Sequence, residues 1–141
     1  TFDNPISANA VSFDGGGFEM SNRWFAAFEK LGGTVHYDTQ AVDLFQDDKG
    51  KVTGVRALGP DGFVNIYADV VIMAADSFES NAEMRARYLG PLWDTVKLRG
   101  TPFNTGEGLQ MAMNIGALPN GSWSSCHSSP QDANRPAFDD F

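Results

Sequence analysis

The sequence predicts an α/β chain with α+β character: a central strand buried on both faces, a β-meander leading into it, and flanking helices. Three observations carry this. From Val70 to Ala75 the segment 68–75 (Ala-Asp-Val-Val-Ile-Met-Ala-Ala) is apolar without polar alternation and stops at small residues, as a strand inside a parallel sheet does. Ahead of it, short stretches of β-forming residues are separated by Asp-Asp-Lys-Gly at 47–50 and Gly-Pro-Asp-Gly at 59–62, the punctuation of hairpins. Earlier still, Phe18, Trp24, Phe25, Phe28 and Leu31 recur at helical spacing. Open α/β sheets bind ligands in the crevice outside their strand ends, so the turn at 74–78 is the first candidate site.

Taken in order, residues 1–13 read as an extended arm or as a short strand at 10–13, and Gly15-Gly16-Gly17 as a flexible hinge. The helix over 18–31 carries Glu19 in its first turn and Lys30 in its last, both of the sign the helix dipole favours, and Gly32-Gly33 stops it. Residues 34–37 suggest a short strand, with His36 structural within it. Residues 41–45, 52–57 and 63–67 form the meander. A short helix over 81–88 follows, capped by Ser80 or Asn81 and halted by Gly90-Pro91. Asn104-Thr105-Gly106-Glu107-Gly108 then opens onto a helix over 109–115, ended by Gly116. Residues 118–141, rich in Ser, Pro, Asn and Asp, read as loop. No internal repeat is evident.

Composition narrows the function classes. The 141 residues are 42% apolar and 20% charged, ordinary for a globular chain and enough for one core. A net charge of -8 leaves no basic stripe to neutralise phosphates, which excludes nucleic acid as the expected partner. No apolar run reaches bilayer length and no signal peptide is evident, so a cytoplasmic location is expected. The single cysteine, Cys126, has no internal disulfide partner and no metal-ligand set around it.

The residues that can carry chemistry are few. A glycine loop running into a helix offers backbone N–H groups to anionic or electron-rich ligand atoms, although Thr-Gly-Glu-Gly at 105–108 also suits an ordinary helix start. Asp76 and Ser77 can bind a ligand or cap the next turn. His127 lies in a polar loop where packing does not require it, and it can donate to a substrate carboxylate or remain a solvated loop histidine. Arg85, Arg87 and Arg99 read as helix-end and surface charges. Gly15-Gly16-Gly17 lacks the spacing of a dinucleotide fingerprint, and Ser12, Cys126 and His127 form no nucleophile elbow.

The order of motifs is more specific than any one of them. A Gly-rich helix entry is followed by Lys-Leu-Gly-Gly at 30–33, Val-His-Tyr-Asp-Thr at 35–39 and Ala-Val-Asp-Leu at 41–44. Next come Lys-Val-Thr-Gly-Val at 51–55, the run at 68–75 with Phe-Glu-Ser-Asn at 78–81, Arg-Gly-Thr-Pro-Phe-Asn-Thr-Gly-Glu-Gly at 99–108, and Gly116-Ala117. This series resembles the flavoprotein family of fumarate reductase and succinate dehydrogenase, and most closely its soluble branch with tricarballylate dehydrogenase and ketosteroid dehydrogenase. The resemblance runs from about Gly15 to about Pro130.

The resemblance implies a Rossmann-like FAD-binding domain over 1–117 and a loop-rich start of a capping or substrate region over 118–141. It implies FAD as cofactor, with the Val42 backbone at the adenine. Ala75, Asp76 and Ser77 would lie near the pyrophosphate and ribose, and Asn104, Thr105, Gly106, Glu107 and Gly108 toward the flavin. His127 would orient the substrate, a small carboxylate or an enone. In this family Gly-Gly usually follows the buried strand, where this chain has Asp76-Ser77. The N-terminal Gly-x-Gly-x-x-Gly unit and the remainder of the cap are absent, so the expectation is a middle portion of a longer FAD-dependent oxidoreductase, inactive by itself. The alternative is a ligand-binding or interaction module that kept this core and lost the cofactor, with Asp76 as the lesion.

Overall fold

A computed structural model describes residues 13–127 and 130–138, so the arm expected over 1–13 lies, but for Phe13, outside the described residues. The chain divides into two compact units, residues 1–37 and 38–141.

The first unit is built on α1 (Gly16–Lys30). Gly15 adopts φ 81 and the Phe13 carbonyl accepts from Gly16 N–H at 2.9 Å, so the glycine triplet starts the helix instead of forming a hinge. Glu19 pairs with Arg23 one turn on at 2.9 Å. At the other end Gly32 takes φ 89 and donates to the Glu29 carbonyl at 2.9 Å, a left-handed stop that glycine adopts without steric cost. None of the α1 residues is buried, and Trp24 is 67% exposed. The strand expected at 34–37 does not form. Too short to stand without a hydrogen-bonded neighbour, it stays irregular, and the Tyr37 ring meets Phe25 edge-on with centroids 6.2 Å apart.

The second unit contains the meander: β1 (Gln40–Gln46), β2 (Val52–Gly59) and β3 (Gly62–Tyr67) form one antiparallel sheet in the order β1-β2-β3. In the β1–β2 turn the Asp47 carboxylate accepts from Lys49 and Lys51 N–H, both at 2.9 Å, which explains why an aspartate opens it. Gly54 is fixed by close approach, since a Cβ there would stand 2.4 Å from the Ile66 carbonyl oxygen. Register passes from Ala41↔Ala57 to Asp43↔Arg56, leaving Val42 as the extra residue of a β-bulge.

Two helices follow, α2 (Ala82–Leu89) and α3 (Glu107–Asn114). The Asn81 side chain caps α2 by accepting from Met84 N–H at 3.1 Å, and Glu83 pairs with Arg87, whose guanidinium pKa is raised first by that hydrogen bond and then by the carboxylate charge. The α3 helix packs on β1. Among the described residues the buried apolar side chains are Leu44, Ala57, Phe78, Met84 and Met111, and Phe78, Tyr88 and Trp123 form one aromatic cluster. Trp123 thus anchors part of the stretch read as loop, and among the described residues 118–138 carry no helix or strand.

The α+β character stands; the central buried strand does not. Ala68 N–H continues the sheet by donating to the Thr53 carbonyl at 3.0 Å, but no described strand pairs with residues 69–75. Val70 is 73% and Ile72 85% exposed. An apolar run is buried only where elements cover both its faces, and none of the described elements does so here.

Candidate functional site: a cleft between the strand end and the glycine loop

The glycine loop and the end of the 68–75 run are brought together. Asn104 Nδ2 donates to Asp76 Oδ2 at 3.1 Å and to Glu79 Oε1 at 2.7 Å, and the Asn104 carbonyl accepts from Ser80 N–H at 2.9 Å. Asn81 adds a second tie, its Nδ2 donating to the Thr105 carbonyl at 2.9 Å. One asparagine therefore both caps α2 and holds the loop, a double role that its capping signature alone does not disclose.

Glycine is required in this loop for packing. A Cβ on Gly106, at φ 90, would meet Met84 Sδ at 2.6 Å and Phe78 Cβ at 2.9 Å; one on Gly108 would stand 2.7 Å from Ala75 Cβ. The helix-start reading stands alongside: no side chain caps α3, and Thr105 Oγ1 donates to the Glu107 carboxylate instead. Glu107 also accepts from Gln40 Nε2 at 3.3 Å, tying the start of α3 to β1.

Beside this junction opens a cleft of about 920 Å³, lined in part by Thr39, Ala41, Pro60, Ala75, Thr105 and Glu107, with no Lys or Arg in its wall. Carboxylates and carbonyls there accept from ligand hydroxyls, and the uncapped first turn of α3 supplies N–H donors for an anion. Gly108 also lines the cleft, while Val42, half-buried, stands next to the lining residue Ala41. Asp76 adopts φ 57, the left-handed region where glycine is cheapest and aspartate is among the better tolerated alternatives.

Ser77 and His127 belong to a second, smaller recess of about 250 Å³, which they line with Glu79, Arg85 and Arg99. Arg85 is a correction to the expected surface charge. It is 8% exposed, and its guanidinium donates to the carbonyls of Trp93 at 2.8 Å, Asp94 at 3.2 Å, Val96 at 3.4 Å and Glu79. Nothing in the spacing of α2 separates this arginine from the exposed Arg87, because the acceptors lie outside the helix, at Glu79 before it and at Trp93, Asp94 and Val96 after it. Arg99 and His127 are exposed.

The sequence matches the FAD binding domain family over residues 7–124. It is 29% identical over 108 residues to an NADH:acrylate oxidoreductase of Vibrio harveyi, covering 72% of this chain and 10% of that protein. It is 33% identical over 83 residues to a fumarate reductase (cytochrome) of Shewanella frigidimarina, covering 58% of this chain and 14% of that protein. Among solved structures, the open conformation of a flavocytochrome c3 fumarate reductase superposes with TM-score 0.66 at 28% identity, over 71% of this chain and 18% of that one. A 3-ketosteroid-Δ4-(5α)-dehydrogenase from Rhodococcus jostii RHA1, in complex with 4-androstene-3,17-dione, gives TM-score 0.61 at 28% identity, over 67% and 20%. The chain thus spans a small part of the length of these relatives. With most of its residues inside the family match and the same fold in the flavocytochrome c3 fumarate reductase, the chain belongs to the FAD binding domain family, and its cofactor is FAD.

Proposed function

We propose that this chain is the FAD-binding portion of an oxidoreductase of the fumarate reductase type, moving a hydride between the flavin and a small substrate that bears a carboxylate or an enone. The observation that carries the reading is the junction of the 104–108 loop with Ala75 and Asp76 beside a cleft of about 920 Å³. When bound, FAD supplies the hydride chemistry, and the protein's part is binding and orientation.

The residues of the cleft fit that cofactor unevenly. Glu107 and Thr39 offer acceptors to ribose and ribityl hydroxyls, and Pro60 offers an apolar surface to a flat ring. Val42, set outside the β1–β2 ladder by its bulge, has the backbone freedom that reading an adenine edge requires. No Lys or Arg is among the described residues that line the cleft, so its donors are the first-turn amides of α3 beside Gly106 and Gly108, which serve the flavin end of the cofactor. Asp76 borders the pyrophosphate and ribose, while Ser77, expected beside it, lines the neighbouring recess. The carboxylate of Asp76 is engaged by the Asn104 amide, which lessens its repulsion toward phosphate. Asn104 and Thr105 support the flavin end, and His127 orients the substrate from the neighbouring recess. Residues 1–117 serve the cofactor, and 118–141 begin the substrate region.

FAD titrated into the 141-residue chain should bind more weakly than micromolar and shift the amide resonances of Val42, Ala75, Thr105 and Gly108. The uncovered 68–75 segment supports the weak affinity. Sub-micromolar binding would contradict that expectation, and shifts confined to other residues would overturn the assigned site.

A further inference from the structure

The residues just ahead of α2 do more than cap it. Glu79, Ser80 and Asn81, consecutive in the chain, all hold the loop ahead of α3. Glu79 Oε1 accepts from Asn104 Nδ2 at 2.7 Å, and Ser80 N–H donates to the Asn104 carbonyl at 2.9 Å. Ser80 Oγ donates to the Thr101 carbonyl at 2.5 Å, and Asn81 Nδ2 to the Thr105 carbonyl at 2.9 Å. Of these ties only that of Glu79 joins two side chains and is charge-assisted, the stronger kind of hydrogen bond. Glu79 is half-buried, and its Oε2 is enclosed with no hydrogen-bond partner among the described residues. A carboxylate shielded in this way holds its donor firmly, because releasing it would leave the charge uncompensated.

The other N–H of the Asn104 amide goes to Asp76 Oδ2 at 3.1 Å. With both N–H groups committed, the Asn104 side chain has one orientation, and the loop that follows starts from a fixed point. Thr105, Glu107 and Gly108 line the large cleft, whereas neither Glu79 nor Asn104 is among its described lining residues. Glu79 borders the small recess instead, so it acts on the cleft from behind its wall. Its backbone carbonyl separately accepts from Arg85, and a change confined to the side chain leaves that acceptor in place.

We infer that Glu79 is a positioning residue for the cofactor: through Asn104 it sets where the 105–108 backbone meets FAD. The inference rests on the proposed function in taking that loop as the flavin end. FAD would be titrated into the full 141-residue chain and its variants, followed by NMR at Thr105 and Gly108, with urea unfolding measured in parallel. Glu79→Ala removes the acceptor and should weaken FAD binding by the folded chain about fivefold or more. Glu79→Asp keeps the charge but withdraws it from Asn104, and should weaken binding likewise. Glu79→Gln keeps the reach without the charge and should recover most of the affinity. Because Glu79 acts through Asn104, adding Glu79→Ala to Asn104→Ala should cost little more. A merely structural role would lower the urea midpoint and leave the affinity of the folded chain unchanged, which would overturn the inference. So would Glu79→Gln binding no better than Glu79→Ala, or full additivity with Asn104→Ala. Should Glu79→Ala fail to fold, Glu79→Asp carries the test: affinity equal to that of the unaltered chain overturns the inference alone. No FAD binding to the unaltered chain, or shifts that miss 105–108, would overturn the cofactor site and the inference with it.

Discussion

At residue scale, the departure from the family's usual pattern has a conformational explanation. Where Gly-Gly is usual this chain has Asp76-Ser77, and Asp76 sits at φ 57, a backbone state that explains the usual glycine without reference to a ligand. Aspartate tolerates that region and its Oδ2 accepts from Asn104, which argues against reading the substitution as a lesion that costs the cofactor. Asp76→Gly should therefore change stability by less than about 1 kcal/mol, whereas Asp76→Val should cost roughly 1–3 kcal/mol. Urea unfolding of both variants checks this, and equal losses would contradict the account. The order of residues along the chain singled out Asp76 and the 104–108 loop, which the structure brings together through Asn104; their conformations left no trace, because positive φ at a non-glycine residue leaves no mark in composition. The same limit applied to Gly106 and Gly108. Their spacing pointed to a loop that a ligand approaches, while the contacts that demand glycine there come from Met84, Phe78 and Ala75.

At the scale of elements, helices α1, α2 and α3 and the meander follow from periodicity and turn residues, since each signal is local. Signals that depended on a neighbour failed in two opposite ways. The strand expected at 34–37 found no partner, and Arg85, expected at the surface, found several. A buried arginine surrounded by carbonyls acts as a tertiary hub: it connects α2 to the 93–96 segment, which has only a 3-10 turn at Trp93–Thr95 of its own. Replacing it with methionine keeps much of the volume but strips those carbonyls of their donor. Arg85→Met should destabilise the chain by on the order of 3 kcal/mol, and protease sensitivity should rise first between 93 and 99. A loss below about 1 kcal/mol in thermal unfolding would show that water satisfies the carbonyls instead.

Across the whole molecule, the exposed run at 69–75 is the largest disagreement between pattern and structure. Its sequence has the composition of a doubly covered strand, yet Val70 and Ile72 face solvent, so the residues carry a burial signal that the described elements do not satisfy. The physical reason is that burial is a property of the surroundings, and a strand's own residues specify only that it can be covered. Ile72→Lys should then change the stability of the 141-residue chain by no more than about 0.5 kcal/mol and reduce self-association in light scattering. A loss of several kcal/mol would mean that Ile72 is enclosed. The 42% apolar content, read as sufficient for one core, corresponds here to a small set of buried side chains and a long list of exposed aromatic and aliphatic ones.

The bulge at Val42 has a consequence for the phase of β1. Residues opposite one another across an antiparallel pair share a face, so Ala41 and Leu44, three apart, both lie on the side of Ala57 and Val55. Were Val42 paired in regular register instead of bulged, Asp43 would take Leu44's place on that side, and the buried leucine would turn outward. The strand's loose alternation in sequence is thus the imprint of a one-residue phase jump. Because the same bulge leaves the Val42 backbone outside the ladder, the core contact of Leu44 and the proposed adenine contact of Val42 both depend on it, and a change that drew Val42 into regular pairing would forfeit both.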